Sequence, residues 1–276
     1  MWLDGVKAAA AVAAVSISCG CFGVTAQERP QPALACGGEI IARGNAGRVL
    51  DGRTFILADG REVRLAAIEV PPLPQQSAQA PGGVAARDAL AALLAGGEIE
   101  LKQAELQNTD RYGRLFAFAF TARAGVEHSV QADLIAAGFA RVSARAGSHA
   151  CALELLKREA AARAAKLGLW AGSYYDSLDA DNPAAVLAEQ GHFALVEGKV
   201  VSVRESGATI YVNFGRRWSE DFTVTILKRN ARKFAAVGLD PKKLTGRRVR
   251  VRGWIEERGG PWIEAARPEQ IEITDR

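Results

Sequence analysis

The sequence predicts a mostly β protein with packed helices, an α+β fold of two β-barrel units in series. Three observations carry this. Short runs of alternating apolar residues are bounded by Gly, Pro, Asn and Asp. A few stretches instead repeat apolar residues at helical spacing and end near glycine. A second set of alternating runs begins after an acidic, Pro- and Gly-punctuated stretch at 172–191. At 276 residues, 49% hydrophobic and 24% charged, the chain is comfortable for two domains of ordinary globular composition.

In chain order, "GRVLDGRTFILA" and "REVRLAAIEV" alternate well enough to pair as a hairpin across Asp59-Gly60. "PPLPQQSAQAPGG" is a loop, and "VAARDALAALLAG" is a helix ending at Gly96-Gly97. "EIELKQAEL" is a strand, "NTDRYGR" a turn, and "LFAFAFTA" another strand. "SVQADLIAAG" is an amphipathic helix, "FARVSA" a short extended piece, and "CALELLKREAAARAAKLGLW" a long helix with Gly168 near its end. The acidic stretch 172–191 reads as a linker. Beyond it come the strands "HFALVEGKVVSVRES", "TIYVNFG" and "DFTVTI", a short helix in "LKRNARKFAAVG", and the strands "GRRVRVRGWIEERGG" and "PWIEAARPEQIEI". That β-β-β-α-β-β order is the layout of an OB-like five-stranded barrel over 192–276.

The amino terminus reads as an export leader. An apolar run, Ala8 to Ser18, is too short to span a bilayer and is followed by small residues with an A-x-A-like cut after Ala26. Residues 1–26 are thus expected to be a signal peptide and 27–46 a polar tail. The protein is expected to be secreted or periplasmic, with a lipoprotein acylated at Cys19 or Cys21 as the alternative. No other run suits an integral membrane segment. Cleavage leaves Cys36 and Cys151, which in an exported chain are expected to form one disulfide.

Charge is placed unevenly. Residues 27–171 hold 17 Lys+Arg and 15 Asp+Glu, residues 172–191 four acids and no base, and residues 192–276 17 Lys+Arg and 11 Asp+Glu. The basic C-terminal third suggests a polyanionic partner, most often nucleic acid. Its middle strands carry Tyr211, Phe214, Trp218 and Phe222 among Arg216, Arg217, Lys228, Arg229, Arg232 and Lys233. Aromatics for base stacking and cations for phosphates suit single-stranded nucleic acid. The same alternation could instead turn some of these aromatics into the barrel interior.

The blocks from Gly47 to Trp170, "VLDGRTFIL", "VRLAAIEVP", "DRYGRLFAFAF", "VEHSVQADLIAAGFARV" and "REAAARAAKLGLW", resemble the staphylococcal nuclease (thermonuclease) family in order and spacing. The resemblance implies an OB-type barrel with packed helices over 47–171 and a calcium-dependent phosphodiesterase acting on DNA or RNA. It carries the two phosphate-binding arginines onto Arg64 and Arg114. It carries the two metal-ligand aspartates onto Arg53 and Glu69, and the water-activating glutamate onto Pro72.

Those departures matter physically. Calcium takes six to eight oxygens. A guanidinium about 5 Å from a divalent ion, at an effective dielectric of ~20, costs roughly 6–7 kcal/mol. Pro72 has no side-chain acceptor, and His128, His149 and His192 stand in no obvious position to replace a base. The expected function is therefore binding of nucleic acid or another phosphate-bearing polyanion, with the hydrolytic residues lost and no cofactor. Arg53 is expected either to join that binding surface or to pair with Glu69 in place of metal. The alternative is a divergent endonuclease in which Arg64, Arg114 and Glu69 are catalytic and Asp51 with Glu69 holds calcium. A third class is a cell-envelope interaction protein with a basic face.

Overall fold

The computed structural model describes residues 1, 36–74, 82–217 and 219–275. The leader, Cys19, Cys21, the tail before Cys36, and Trp218 lie outside the described residues.

The first region runs β1 (Ile40–Gly44), β2 (Ala46–Asp51), β3 (Thr54–Leu57), β4 (Glu62–Leu65), β5 (Ile68–Glu69), α1 (Gly83–Leu94), β6 (Ile99–Gln103), β7 (Leu115–Arg123), β8 (Val126–Ser129), α2 (Val130–Ala136), β9 (Arg141–Val142) and α3 (His149–Ala164). One sheet has the order β1-β6-β7-β4-β3-β2, with β8 on β7. It is not a closed barrel: a single residue, Asn45, separates β1 from β2, so the chain rather than a hydrogen-bonded ladder joins the sheet's two ends. The expected tail therefore contributes a strand, because β1 pairs antiparallel with β6.

In β7 the Phe/Ala alternation sends large side chains to one face and small ones to the other, and both are covered. Ala117, Phe118, Ala119 and Phe120 are all buried. The first two helices follow their sequence signals, whereas the long helix expected over 151–170 spans His149–Ala164. Ala86, Leu90 and Leu94 of α1 are buried at four-residue spacing. Ser129 caps α2 by accepting from the Ala132 N–H at 3.3 Å. Gln131 ties α2 to β7, donating to Ala117 O at 3.0 Å and accepting from Ala119 N–H at 3.1 Å. Cys36 and Cys151, the latter in the first turn of α3, form a disulfide with Cα atoms 4.7 Å apart. Closing a loop of this length stabilises by about 4–5 kcal/mol in the chain-entropy model.

The second region runs β10 (Leu178–Asp179), α4 (Pro183–Ala188), β11 (Phe193–Lys199), β12 (Ser202–Ser206), β13 (Thr209–Asn213), β14 (Thr223–Leu227), α5 (Ala231–Ala236), β15 (Arg248–Trp254), β16 (Glu256–Arg258), β17 (Gly260–Glu264) and β18 (Ile271–Ile273). Two sheets form, β10-β11-β15-β18 and β12-β13-β14-β17-β16, rather than the expected five-stranded barrel. Two of the long strands read from sequence each break and change sheet, one around Val200 and one at Ile255. Both corner residues are buried, so apolar patterning runs through the bends and does not mark them.

The expected linker is a packed strap. Its acids Asp176, Asp179, Asp181 and Glu189 are exposed, which is what composition registers. Tyr175 and Val186 beneath them are fully buried, and the Tyr175 hydroxyl donates to Phe139 O at 3.3 Å. The regions are joined by buried charge. Arg252, 1% exposed, donates to Glu159 Oε2 of α3 at 2.7 Å and to Val142 O at 2.8 Å, and it also pairs with Glu272. No helix among the described residues is long and apolar enough to cross a membrane.

Candidate functional site

The turn between β2 and β3 is set by Asp51, whose Oδ1 accepts the Arg53 N–H at 2.8 Å. Gly52 allows that turn to press on the α1 helix: a Cβ there would lie 2.7 Å from Ala86 Cβ. Between β4 and β5 the chain passes through Ala67, a non-glycine residue at φ 65°. Its carbonyl accepts from the Ser143 N–H at 2.8 Å, which holds the bend. These two turns bring Arg53 and Glu69 face to face. They form an ion pair, each side chain 12% exposed, and Arg53 Nη1 also donates to Ile68 O at 3.2 Å.

Arg64 lies opposite Thr54 across the β3–β4 ladder. It is half-buried, and the structure gives its guanidinium no hydrogen bond or ion pair among the described residues. Burial first, then the neighbouring Arg53 cation, holds it below the usual arginine value, with Glu69 and Asp51 opposing. It remains charged at neutral pH. Arg114 is held differently: its Nη2 pairs with Asp110 Oδ2 at 2.6 Å, and Glu62 lies 3.7 Å from its Nη1. Burial pushes the Asp110 carboxyl up, but the Arg114 side chain and the Tyr112 and Arg114 N–H groups outweigh it and hold the carboxyl below its ordinary value.

Asp51, Arg53, Arg64, Glu69, Pro72 and Arg114 share one cleft of about 350 Å³. Its opposite wall comes from the strap and the second region: Tyr174, His192, Phe193 and Trp254. Arg141 fixes that wall by donating from Nη2 to Phe193 O at 2.7 Å while its guanidinium lies 4.4 Å from the Tyr175 ring centroid. Sequence reading missed this wall. Tyr174 sits in a segment whose composition reads as linker, and His192 reads as an edge residue. Only the concentration of aromatics around 174–193 and at Trp254 hinted at it.

The donor set does not fit calcium. Glu69 is paired with a guanidinium, Asp51 is engaged by a backbone N–H, and Pro72 offers no side-chain oxygen. Among the described residues no group of three or more His, Cys, Asp or Glu is arranged to hold a metal ion.

The sequence-predicted surface of the second region is only partly assembled. Tyr211 is exposed on β13, but Phe214 is in the core with its ring centroid 4.9 Å from that of Phe222. It continues the inward parity of Ile210 and Val212, which corrects its assignment to a binding face. Arg216 and Arg229 are exposed. Arg217 pairs with Glu220 at 2.8 Å and Lys228 with Glu205 at 3.0 Å. Arg53, also assigned to binding, faces Glu69 instead.

Residues 62–172 match the family model described as Staphylococcal nuclease homologue. The match begins after the Asp51–Arg53 turn and includes Arg64, Glu69 and Arg114. No curated protein matches the chain.

Proposed function

We propose that this chain, in which residues 62–172 form a staphylococcal nuclease-like domain, binds nucleic acid or a related phosphate-bearing polyanion in its cleft and does not hydrolyse it. The observation that carries the reading is the Arg53 and Glu69 ion pair standing beside an unpartnered Arg64. A half-buried guanidinium without a carboxylate partner is a ready site for a phosphate. The adjoining ion pair supplies charge balance where a metal would otherwise be needed, and no side chain at Pro72 can activate water. Tyr174 and Trp254 on the facing wall offer rings on which a base stacks. The basic C-terminal third adds to the attraction. The Cys36–Cys151 disulfide supports an exported location, in keeping with a leader at 1–26.

The test uses the purified protein with single- and double-stranded oligonucleotides, with calcium and with chelator. Salt-dependent binding without cleavage is expected. Arg64→Ala should weaken binding about tenfold and reduce the salt slope by about 1. Calcium-dependent cleavage that Glu69→Gln abolishes would overturn the reading and make the domain a divergent phosphodiesterase.

A further inference from the structure

A second groove, sharing no lining residue with the cleft, lies on the sheet β12-β13-β14-β17-β16. Register places two rungs of side chains there. One is Asn213, Thr223 and Trp262; the other is Tyr211, Thr225 and Glu264. The rungs are two residues apart along each strand, so about 6.8 Å. They line a groove of about 250 Å³, flanked by Asp221 and Arg258.

Two features separate this groove from an ordinary polar sheet face. The strand face that packs inward is apolar (Val212, Val224, Ile226), yet Thr223, Thr225, Asn213 and Trp262 on the groove face are also at least nine-tenths buried. Buried polar groups on a covered face are normally bonded. Here the Thr225 hydroxyl and the Trp262 indole N–H have no hydrogen-bond partner among the described residues. Each such orphan destabilises the free protein, which makes a ligand that satisfies both a physical explanation of their presence. Trp262 also carries the Arg258 guanidinium over its ring, 3.5 Å from the centroid. The indole therefore already has a flat partner, and Tyr211 is the exposed ring.

We infer that this groove binds a short neutral oligosaccharide. The charge of the lining argues against a phosphodiester, since Asp221 and Glu264 outnumber Arg258. Hydroxyls both donate and accept. They can therefore meet an orphan acceptor-donor (Thr225), an orphan donor (Trp262) and a carboxylate (Glu264) at one site. Tyr211 supplies the apolar platform for a ring face. Few convergent polar groups beside aromatic side chains are the usual make-up of a small-molecule cleft.

The experiment is titration calorimetry of the full chain with chitotetraose and with cellotetraose, and with oligothymidylate as competitor. At least one tetrasaccharide should bind, and oligothymidylate should not displace it. Tyr211→Ala should weaken binding about tenfold, and Glu264→Gln about fivefold. Thr225→Val is the decisive variant, being nearly isosteric. It should raise the Tm of the free protein by removing an orphan hydroxyl, and weaken saccharide binding about fivefold. A merely structural Thr225 would not give opposite signs. Failure of both saccharides to bind overturns the inference. So does binding indifferent to Tyr211 and Thr225, or displacement by oligothymidylate.

Discussion

Arg252 and Arg53 both pair with glutamates out of full contact with water, and they do so to different ends. Arg252 is 1% exposed and meets Glu159, Glu272 and the Val142 carbonyl, gathering α3 of the first region and β15 and β18 of the second. Arg53 is 12% exposed, meets Glu69 and the Ile68 carbonyl, and sits on the floor of an open cleft. Burial lowers Arg252's proton affinity, yet Glu159 and Glu272 outweigh burial and raise it overall. The buried network draws its partners from several directions and holds architecture, although Arg252 Nε and Glu159 Oε1 have no hydrogen-bond partner among the described residues. The cleft pair has one carboxylate and one carbonyl, and it borders an arginine with no partner. The difference teaches that a buried charge pair is an interface fastener when its acceptors come from both sides, and a site component when solvent reaches it.

The sharpest break of that comparison is Arg252→Ala. It leaves Glu159 inside the protein, 1% exposed, without its main cation. Removing one partner of a buried pair costs about 3–5 kcal/mol, so a large drop in urea midpoint is expected. Arg252→Met, which keeps the stem, should lose nearly as much, because the buried carboxylate, left with Arg163 at 3.8 Å as its cation, rather than lost packing sets the effect. The double variant Arg252→Met with Glu159→Leu should recover much of the loss. A small effect of Arg252→Ala in equilibrium unfolding would show that the regions are held together by other contacts.

Such a network was not legible in the sequence, and the reason is physical. Glu159 occupies an apolar face of α3 beside Cys151, Leu155 and Ala162, which read alone is a helix with one misplaced acid. Its partner comes from a strand 93 residues later. Local patterning did carry much of the rest. The helix start at Ser129, the β7 alternation, and the motif blocks around Arg64, Glu69 and Arg114 are all short-range signals, and the structure follows them, whereas the long helix read over 151–170 spans His149–Ala164. Where chain direction changes inside a continuous apolar run, as at Val200 and Ile255, periodicity gives no mark. The half of the cleft built from Tyr174, His192 and Trp254 depends on how the second region docks, and no local pattern encodes docking.

Arg53→Asp tests the cleft half of the comparison. It would place a carboxylate opposite Glu69 and near Asp51, replacing an attraction by a repulsion. A loss of about 2–3 kcal/mol is expected in chelator, smaller than for Arg252 because solvent reaches the cleft. Three carboxylates in one cleft are then a better calcium site than the native set. Calcium at a hundredfold excess over its dissociation constant would return about 2.7 kcal/mol. The measurement is Tm for both proteins with calcium and with chelator. Equal gains for the native chain and for Arg53→Asp would show that the native cleft already holds the metal, against the proposed function.

The smallest expected effect lies at the edge of the buried network and is read by pH. Burial raises the Glu272 carboxyl, but the charge and hydrogen bond of Arg252 outweigh it, with Arg250 adding to them, so the group titrates below its ordinary value. A carboxyl with a depressed folded pKa contributes stability that is fully present above its unfolded value of about 4.3 and is lost as pH falls through the lower folded value. At pH 7, Glu272→Gln should therefore cost about 1–2 kcal/mol, the worth of a charge-assisted contact at a partly exposed position. As the solution is acidified below about pH 4, the native side chain takes up its proton and becomes the neutral equivalent of the variant, so the two Tm curves should converge. Other acids with shifted values, such as Asp110 and Asp275, move both curves together and cancel in the difference. A gap that stays constant down to about pH 3 would mean that shape rather than charge at residue 272 matters, and would leave Glu159 as the carboxylate whose charge holds Arg252.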